Sequence, residues 1–117
     1  MIELHRVYEH RRTHGSRFLV ERLWPRGIRK DSLRFSHWLK DVAPSDSLRR
    51  WFQHDAAKWE EFQRRYRSEL DAHPDAWAPL VAAARAGDVV FLYSSHDNEH
   101  NNAVVLRDYV NERLVQR

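Results

Sequence analysis

The segment that most constrains the fold is the apolar run Val89-Val90-Phe91-Leu92-Tyr93, which has no polar interruption. Most of these residues are strand formers, and the run is shorter than most helices. A strand with one exposed face alternates between apolar and polar residues, whereas a strand covered on both faces, as in parallel sheets, is continuously apolar. The sequence therefore predicts a buried strand from Asp88 to Ser94.

Two further strands are predicted nearer the N-terminus. Ile2 to Tyr8 alternates between apolar and polar residues, which is typical of a strand. Arg17 to Trp24 contains an apolar triplet and ends at Pro25 and Gly27, because proline cannot donate to a β-ladder and glycine favours a turn. The connection between these strands, Glu9 to Ser16, is polar, histidine-rich and short for a parallel crossover. We therefore expect the first strand to pair antiparallel at an edge.

From Asp31 to His73 the apolar residues follow a helical period. We expect Ser45 to cap one helix and Asp55 to cap a longer one. Pro74 and Gly87 are expected to bound a further helix. The first helical face of this region is predicted to consist of Leu33, Trp38, Leu39 and Val42. A final helix is predicted to contain Val104, Val105, Leu106, Tyr109, Val110 and Leu114.

The order of these elements predicts an α/β fold. We expect a small, mainly parallel sheet of about three strands with helices packed around it, and a long helical crossover between the second and third strands. The length of 117 residues is that of a single domain, so residues 1–117 are expected to form one domain around one core.

Composition narrows the functional classes. The chain has no cysteine, which excludes disulfides and a cysteine nucleophile. It has no signal-like N-terminus and no apolar run long enough to span a membrane, so we expect a cytoplasmic protein without a membrane partner. Lysine supplies only Lys30, Lys40 and Lys58 of the 20 cationic residues, and the others are arginine. Arginine suits phosphate and carboxylate recognition, although codon bias in a GC-rich genome also accounts for such a surplus.

Two polar loops follow predicted strands, at the edge where open parallel sheets bind ligands. In the first loop, Arg22 and Arg26 flank a rigid turn and could hold an anion bidentately, with Trp24 as an apolar wall. Gly27 would let backbone N–H groups approach the anion. A structural interpretation is also open, in which Trp24 belongs to the core, Arg22 pairs with a carboxylate such as Asp97, and Arg26 is solvated.

The second loop runs from Tyr93 to Asn102 and contains the candidate catalytic residues. Histidine is the residue type most often used for acid or base chemistry, and Asp97 could orient either His96 or His100 for it. Alternatively, Asp97 or Asn98 caps a helix start. We assign no metal site, because no third ligand stands at a recognisable spacing.

His54 forms a third polar spot beside Asp55 and is a candidate ligand-binding residue, although a partly exposed position next to a helix cap explains it equally. Tyr93 and Asn101, near the two ends of the second loop, complete the predicted ligand-binding set. The sequence identifies neither a cofactor nor an oligomeric state.

Several blocks of the sequence together resemble the YeaO-like family, a branch of the domain of unknown function 488 group. The resemblance runs nearly end to end, and its most specific block is Arg22-Leu23-Trp24-Pro25-Arg26-Gly27. The other matching positions are Trp38 to Asp41, Ala43 to Ser45, Leu48-Arg49, Trp51-Phe52, His54-Asp55, Tyr93, Asp97, His100-Asn101, Ala103 and Leu106.

The resemblance implies a small cytoplasmic α/β fold and a shared site built from Arg22, Trp24, Arg26, Asp97 and Asn101. The chain also departs from the family pattern, in which a lysine is common at the position of His96 and a histidine at the position of Asn102. Longer relatives in the wider group look as if they carry a cysteine where this chain has Tyr93, so chemistry through a thiol does not carry over.

Three functional hypotheses follow. The first is a site for a small anionic, phosphorylated or nucleotide-like ligand, clamped by Arg22 and Arg26, with Asp97 and a histidine as acid or base if there is turnover. The second is a nucleic-acid-binding or regulatory module. The third is a structural or partner-binding domain whose polar cluster is an internal ion-pair network. The sequence leaves open whether the protein is an enzyme.

Overall fold

A four-stranded parallel sheet forms the centre of the structure, a computed structural model that describes residues 1–9, 14–33 and 36–115. The strands lie in the spatial order β1-β4-β2-β3, and every neighbouring pair is parallel. Their bounds are β1 Ile2–Arg6, β2 Ser16–Leu19, β3 Ser36–Trp38 and β4 Val89–Tyr93. The predicted fold class, a parallel α/β sheet surrounded by helices, is confirmed.

Four helices and three short 3-10 turns complete the described part of the chain. The helices are α1 Asp46–Phe52, α2 Trp59–Ala72, α3 Pro74–Ala86 and α4 Asn102–Leu114. The 3-10 turns are Lys30–Leu33, Lys40–Val42 and Ala56–Lys58. None of the helices in these ranges is both long enough and apolar enough to cross a lipid bilayer.

Strand β4 is buried on both faces, as its apolar run predicts. Val89, Phe91 and Tyr93 join the large core cluster to which all four helices contribute. Val90 and Leu92 join a smaller cluster, which also contains Leu33 and is covered by Trp24 and Ile28. The helices therefore cover one face of the sheet, and the segment after β2 covers the other.

The strand order explains this division. The connections from β1 to β2 and from β2 to β3 cross the sheet in one direction, and the connection from β3 through α1, α2 and α3 to β4 returns in the other. Right-handed crossovers that run in opposite directions lie over opposite faces. The predicted helical crossover between parallel neighbours is present, since β2 pairs directly with β4.

Strand β1 lies at an edge, as expected, but its predicted antiparallel pairing is wrong. It is parallel to β4, with Ile2 opposite Val89 and Arg6 opposite Tyr93. The connection to β2 spans residues 7–15, and an extended chain of that length reaches about 30 Å. A connection of that length can join two short parallel strands. Part of the predicted polar connection, residues 10–13, lies outside the described residues.

The predicted helical face from Leu33 to Val42 is also wrong, because Ser36–Trp38 forms the edge strand β3 between two 3-10 turns. Backbone pairing with β2 continues beyond this strand, where the Leu39 N–H donates to the Leu19 carbonyl at 3.0 Å. Trp38 also packs edge-on against Trp24, with ring centroids 5.4 Å apart. These contacts between distant residues override the local helical period.

The later helix boundaries agree with their predicted caps. The Ser45 side chain accepts from the Leu48 N–H at the start of α1. Asp55 caps the 3-10 turn that leads into α2, and Gly87 is the C-cap of α3. The last helix is capped instead by Asn101, whose side chain accepts from the Val104 N–H, so the predicted cap at Asp97 or Asn98 is displaced by one turn.

We expect Gly15→Ala to destabilise the protein by about 1–3 kcal/mol. Gly15 has a φ of +101°, and an added Cβ would lie 2.0 Å from the Asp88 carbonyl oxygen. Gly87→Ala is the matched control, because its added Cβ meets no atom within 4 Å. Urea unfolding of both variants measures the difference. Equal stability of the two would contradict the close approach of the Gly15 and Asp88 backbones.

Candidate ligand-binding cleft

A cleft of about 900 Å³ opens where the parallel strands β1, β4 and β2 end. Ligands of open parallel sheets bind at this edge. The segments after the three strands form three sides, and α1 with the residues around it forms the fourth. Its polar lining includes Arg6, Tyr8, Glu21, Arg22, Arg26, Arg49, Arg50, His54, Ser94, Ser95, His96, Asn101 and Asn102.

The lining carries a strong positive charge. Among the described residues, five arginines and one glutamate line the cleft, and they give it a formal charge of +4 with histidines neutral. Arg22 and Arg26 lie in the same cleft as Ser94 to His96, so the two predicted loops do meet. Several like charges around one concave surface focus a positive potential inside it.

Arg6 and Arg22 use their guanidinium groups to hold backbone carbonyls. Arg22 donates to the carbonyls of Pro44 at 2.9 Å and Ala43 at 3.1 Å. Arg6 donates from Nε to the Ser95 carbonyl at 2.8 Å, and its Nη2 lies 3.4 Å from Nδ1 of His96. The alternative in which Arg22 pairs with Asp97 is therefore wrong. These two arginines fix the cleft walls relative to one another.

The remaining arginines have uncommitted donors. Among the described residues, neither Arg26 nor Arg50 makes a side-chain hydrogen bond or ion pair, and both side chains are exposed. Arg49 contacts Asp46 through Nη2 at 3.3 Å, but its Nε is buried and has no hydrogen-bond partner in that part of the chain. These three side chains can donate to a bound anion.

Glu21 is the one carboxylate that the described residues contribute to the cleft lining. Its Oε1 accepts from the Ser94 N–H at 2.8 Å and from the Ser94 hydroxyl at 3.1 Å. Burial raises the pKa of the Glu21 carboxyl above its ordinary value of 4.5, while the Ser94 hydrogen bonds and the positive charge of Arg49 oppose that rise. The side chain therefore joins the ends of β2 and β4.

Leu23 and Trp24, on the segment after β2, form an apolar side of the cleft, and the buried rings of Phe52 and Phe62 also line it from the helices. Leu23 is 57% exposed, although it is a large apolar side chain. The Trp24 Nε1–H donates to the Ile28 carbonyl at 2.7 Å, which holds the ring in place. The cleft thus suits a ligand that has both an anionic and an apolar part.

His54 occupies a conformationally strained end of the cleft. Gln53 and His54 have φ values of 46° and 57°, in the left-handed region that residues other than glycine rarely adopt. The His54 Nδ1 lies 3.4 Å from the Ser95 hydroxyl, across from the end of β4. The turn after α1 therefore presents this imidazole to the cleft, where the sequence placed a ligand-binding residue.

Asp97 and His100 do not line the cleft with the other predicted residues. The Asp97 carboxylate accepts from the N–H groups of Glu99 and His100 and lies 2.9 Å from the His100 ring. Those backbone hydrogen bonds lower the pKa of the Asp97 carboxyl. The His100 ring also packs edge-on against Trp59. The pair consequently stabilises the turn before α4.

Tyr93 and Asn101, the two predicted ligand-binding residues of that loop, make contacts within the fold. Tyr93 is buried in the large core cluster and does not line the cleft, and burial raises the pKa of its hydroxyl. Asn101 reaches the cleft wall but caps α4 and donates to the Asp97 carbonyl at 2.9 Å. Of the predicted catalytic residues, only His96 lines the cleft.

Sequence reasoning missed Arg6, Glu21, Arg49 and Arg50 as cleft residues. Arg6 ends β1, and a parallel β1 would have placed it at the ligand-binding edge. Glu21 stands inside the predicted first loop, but a single acidic residue there gives no sign of burial. In the described part of the chain, no group of three histidine, aspartate or glutamate side chains lies close enough to hold a metal ion.

Comparisons with known proteins place the chain in a family. Residues 1–117 match a family model described as the inactive DUF488-N3 subclade. The chain is 36% identical over 110 residues to the uncharacterised protein YeaO of Escherichia coli, which covers 93% of this chain and 96% of YeaO. It is 49% identical over 99 residues to an uncharacterised protein of Mycobacterium tuberculosis, which covers 85% of this chain and 83% of that protein. No solved structure matches the chain.

The fold and the cleft define a small parallel α/β protein with an arginine-rich cleft at the carboxyl ends of its strands. The chain belongs to the DUF488 group, in its inactive N3 subclade, and is similar to YeaO. The resemblance to the YeaO-like family inferred from the sequence is thereby confirmed.

We expect Arg22→Ala to lower the free energy of unfolding by about 1–3 kcal/mol, because it leaves the carbonyls of two buried residues, Ala43 and Pro44, without their donor. Arg26→Ala should change stability by no more than about 0.5 kcal/mol, because that exposed guanidinium holds nothing in the described chain. Urea unfolding compares the two variants. A larger loss at Arg26 would contradict this division of roles.

The raised pKa of Glu21 predicts a pH-dependent stability difference. Between 4.5 and the raised folded-state pKa, the folded protein binds more protons than the unfolded chain, so wild-type stability falls as pH rises. Glu21→Gln removes this contribution, and its stability relative to wild type should increase as pH rises above 4.5. Unfolding at several pH values measures the difference, with Glu60→Gln, an exposed position on α2, as the control. A pH-independent difference would refute the effect.

Proposed function

We propose that the protein binds a small anionic ligand, of the phosphate-bearing class, in the cleft at the ends of β1, β4 and β2. The observation that carries this proposal is the convergence, within the described part of the chain, of five arginines and a single carboxylate on one concave surface. Unliganded, these like charges repel one another, and a bound anion relieves that repulsion.

The different contacts of the cleft arginines support the binding of an anion. Arg6 and Arg22 hold the loops through backbone carbonyls, so the walls are fixed before a ligand arrives. Arg26 and Arg50 are uncommitted in the described chain, and guanidinium forks match phosphate oxygens bidentately. A preformed site spares the ligand the free energy of ordering these loops.

The family's description as inactive supports binding without turnover. Longer relatives of the group look as if they carry a cysteine at the position of Tyr93, and the Tyr93 side chain lies in the core. Asp97 and His100 bond to each other and to their own turn. His96 stays a candidate for contacting the ligand, since it lines the cleft beside Arg6.

Thermal unfolding in the presence of candidate ligands tests the proposal. We expect phosphate compounds, such as pyrophosphate and ribose 5-phosphate, to raise the midpoint, because a ligand that binds only the folded state stabilises it by about 2.7 kcal/mol at a hundredfold excess over its Kd. For a chain of this length that gain corresponds to roughly 10 °C. Arg26→Ala and Arg50→Ala should each diminish the shift.

Arg64→Ala is the control for lost positive charge, because Arg64 lies on the exposed side of α2 and pairs with Glu61. Its ligand-induced shift should equal that of wild type. An equal loss in all three variants would indicate general charge attraction, and no shift with any phosphate compound would overturn the proposal. Binding confined to long oligonucleotides, and weakening steeply with salt, would favour a nucleic-acid-binding module instead.

A further inference from the structure

Glu21 places a negative charge in an arginine-rich cleft, and the binding of an anion alone does not explain why a carboxylate stands there. Glu21 lines the same cleft as Arg26, Arg49 and Arg50, and its negative charge repels any phosphate close to it. The anionic part of a ligand therefore belongs with the arginines, and Glu21 is left to contact a different part of the ligand.

The two oxygens of Glu21 are used differently. Oε1 accepts two hydrogen bonds from Ser94, one from the backbone N–H and one from the hydroxyl, which fills its two lone pairs. Oε2 makes no hydrogen bond to any residue in the described ranges. The fold therefore needs Oε1, whereas Oε2 is an unused acceptor of a residue that lines the cleft.

The apolar side of the cleft indicates what carries the matching donor. Leu23 and Trp24 line the same cleft as Glu21, and Leu23 remains 57% exposed. The half-buried Trp24 ring suits a planar partner, because nucleobases stack on aromatic side chains. A sugar hydroxyl could also donate to a carboxylate, but it would leave this apolar side uncovered.

Resting on the proposed anion site, we propose that the ligand is a nucleoside phosphate. Its phosphate binds the arginines, its base lies against the apolar side, and an N–H group of the base donates to Oε2 of Glu21. Each common nucleobase carries such N–H donors on the edge used in base pairing. Glu21 is therefore the residue that distinguishes a nucleotide from a simple sugar phosphate.

Calorimetric titration of the full chain with ribose 5-phosphate and the four nucleoside 5′-monophosphates tests this inference. At least one nucleotide should bind about tenfold or more tightly than ribose 5-phosphate, in line with a charge-assisted hydrogen bond. Glu21→Gln keeps an acceptor for Ser94 but replaces Oε2 by an amide donor. This variant should lose the nucleotide preference, so that nucleotides and ribose 5-phosphate bind it with about equal affinity.

A second experiment changes the ligand instead of the protein, and it keeps the test valid if Glu21→Gln folds poorly. The preferred nucleotide with its base N–H groups methylated should bind wild-type protein no more tightly than ribose 5-phosphate. Equal binding of nucleotides and ribose 5-phosphate to wild type, or a nucleotide preference that survives both changes, would overturn the inference and leave the anion site intact. If no phosphate compound binds at all, the anion site itself fails and the inference with it.

Discussion

Parallel pairing of β4 with β1 on one side and β2 on the other determines where every other part of the molecule lies. Because the three strands run in one direction, the segments that follow them meet at a single edge of the sheet. That edge receives Arg6 from β1, the Glu21 to Arg26 segment from β2 and the Ser94 to His96 segment from β4. Residues far apart in the chain thereby form one cleft. Because every residue of β4 is buried, the strand that carries the middle of this edge is anchored in the core.

The arginines of this cleft do not all have the same role, because some of them hold the fold together and others are left without a partner in the described chain. A guanidinium that donates to the carbonyls of buried residues, as Arg22 does to Ala43 and Pro44, satisfies acceptors that are costly to leave unpaired. Arg26 and Arg50 satisfy no such acceptor in the described chain. Arg22 therefore holds the cleft wall through backbone carbonyls rather than through the ion pairs of an internal network, and the proposed ligand clamp rests on Arg26 and Arg50.

Much of the fold was predictable because local signals sufficed: β4 from its uninterrupted apolar run, the start of α1 from the cap at Ser45, and the 3-10 turn that leads into α2 from the cap at Asp55. β3 was not, since a three-residue strand has too little pattern of its own and forms by pairing with β2. Cleft residues such as Arg22 and Arg26 were predictable because their loop follows a strand that the sequence pattern had identified. Arg6 was missed because the direction of β1 was misjudged. Asp97 and His100 have the residue types of a catalytic pair, but their three-residue spacing lets them close a turn on each other.

Glu21 connects the stability of the cleft with its chemistry. Burial disfavours its charge, and the Ser94 donors and the charge of Arg49 only partly compensate for that cost. A purely structural tie between β2 and β4 could use a neutral acceptor, which would avoid the desolvation of a carboxylate. A charged oxygen that the described fold leaves unpaired makes physical sense where a bound donor completes its hydrogen bonding. The raised pKa and the unpaired oxygen thus have one origin: Glu21 is a buried carboxylate, and the described residues donate hydrogen bonds to only one of its two oxygens.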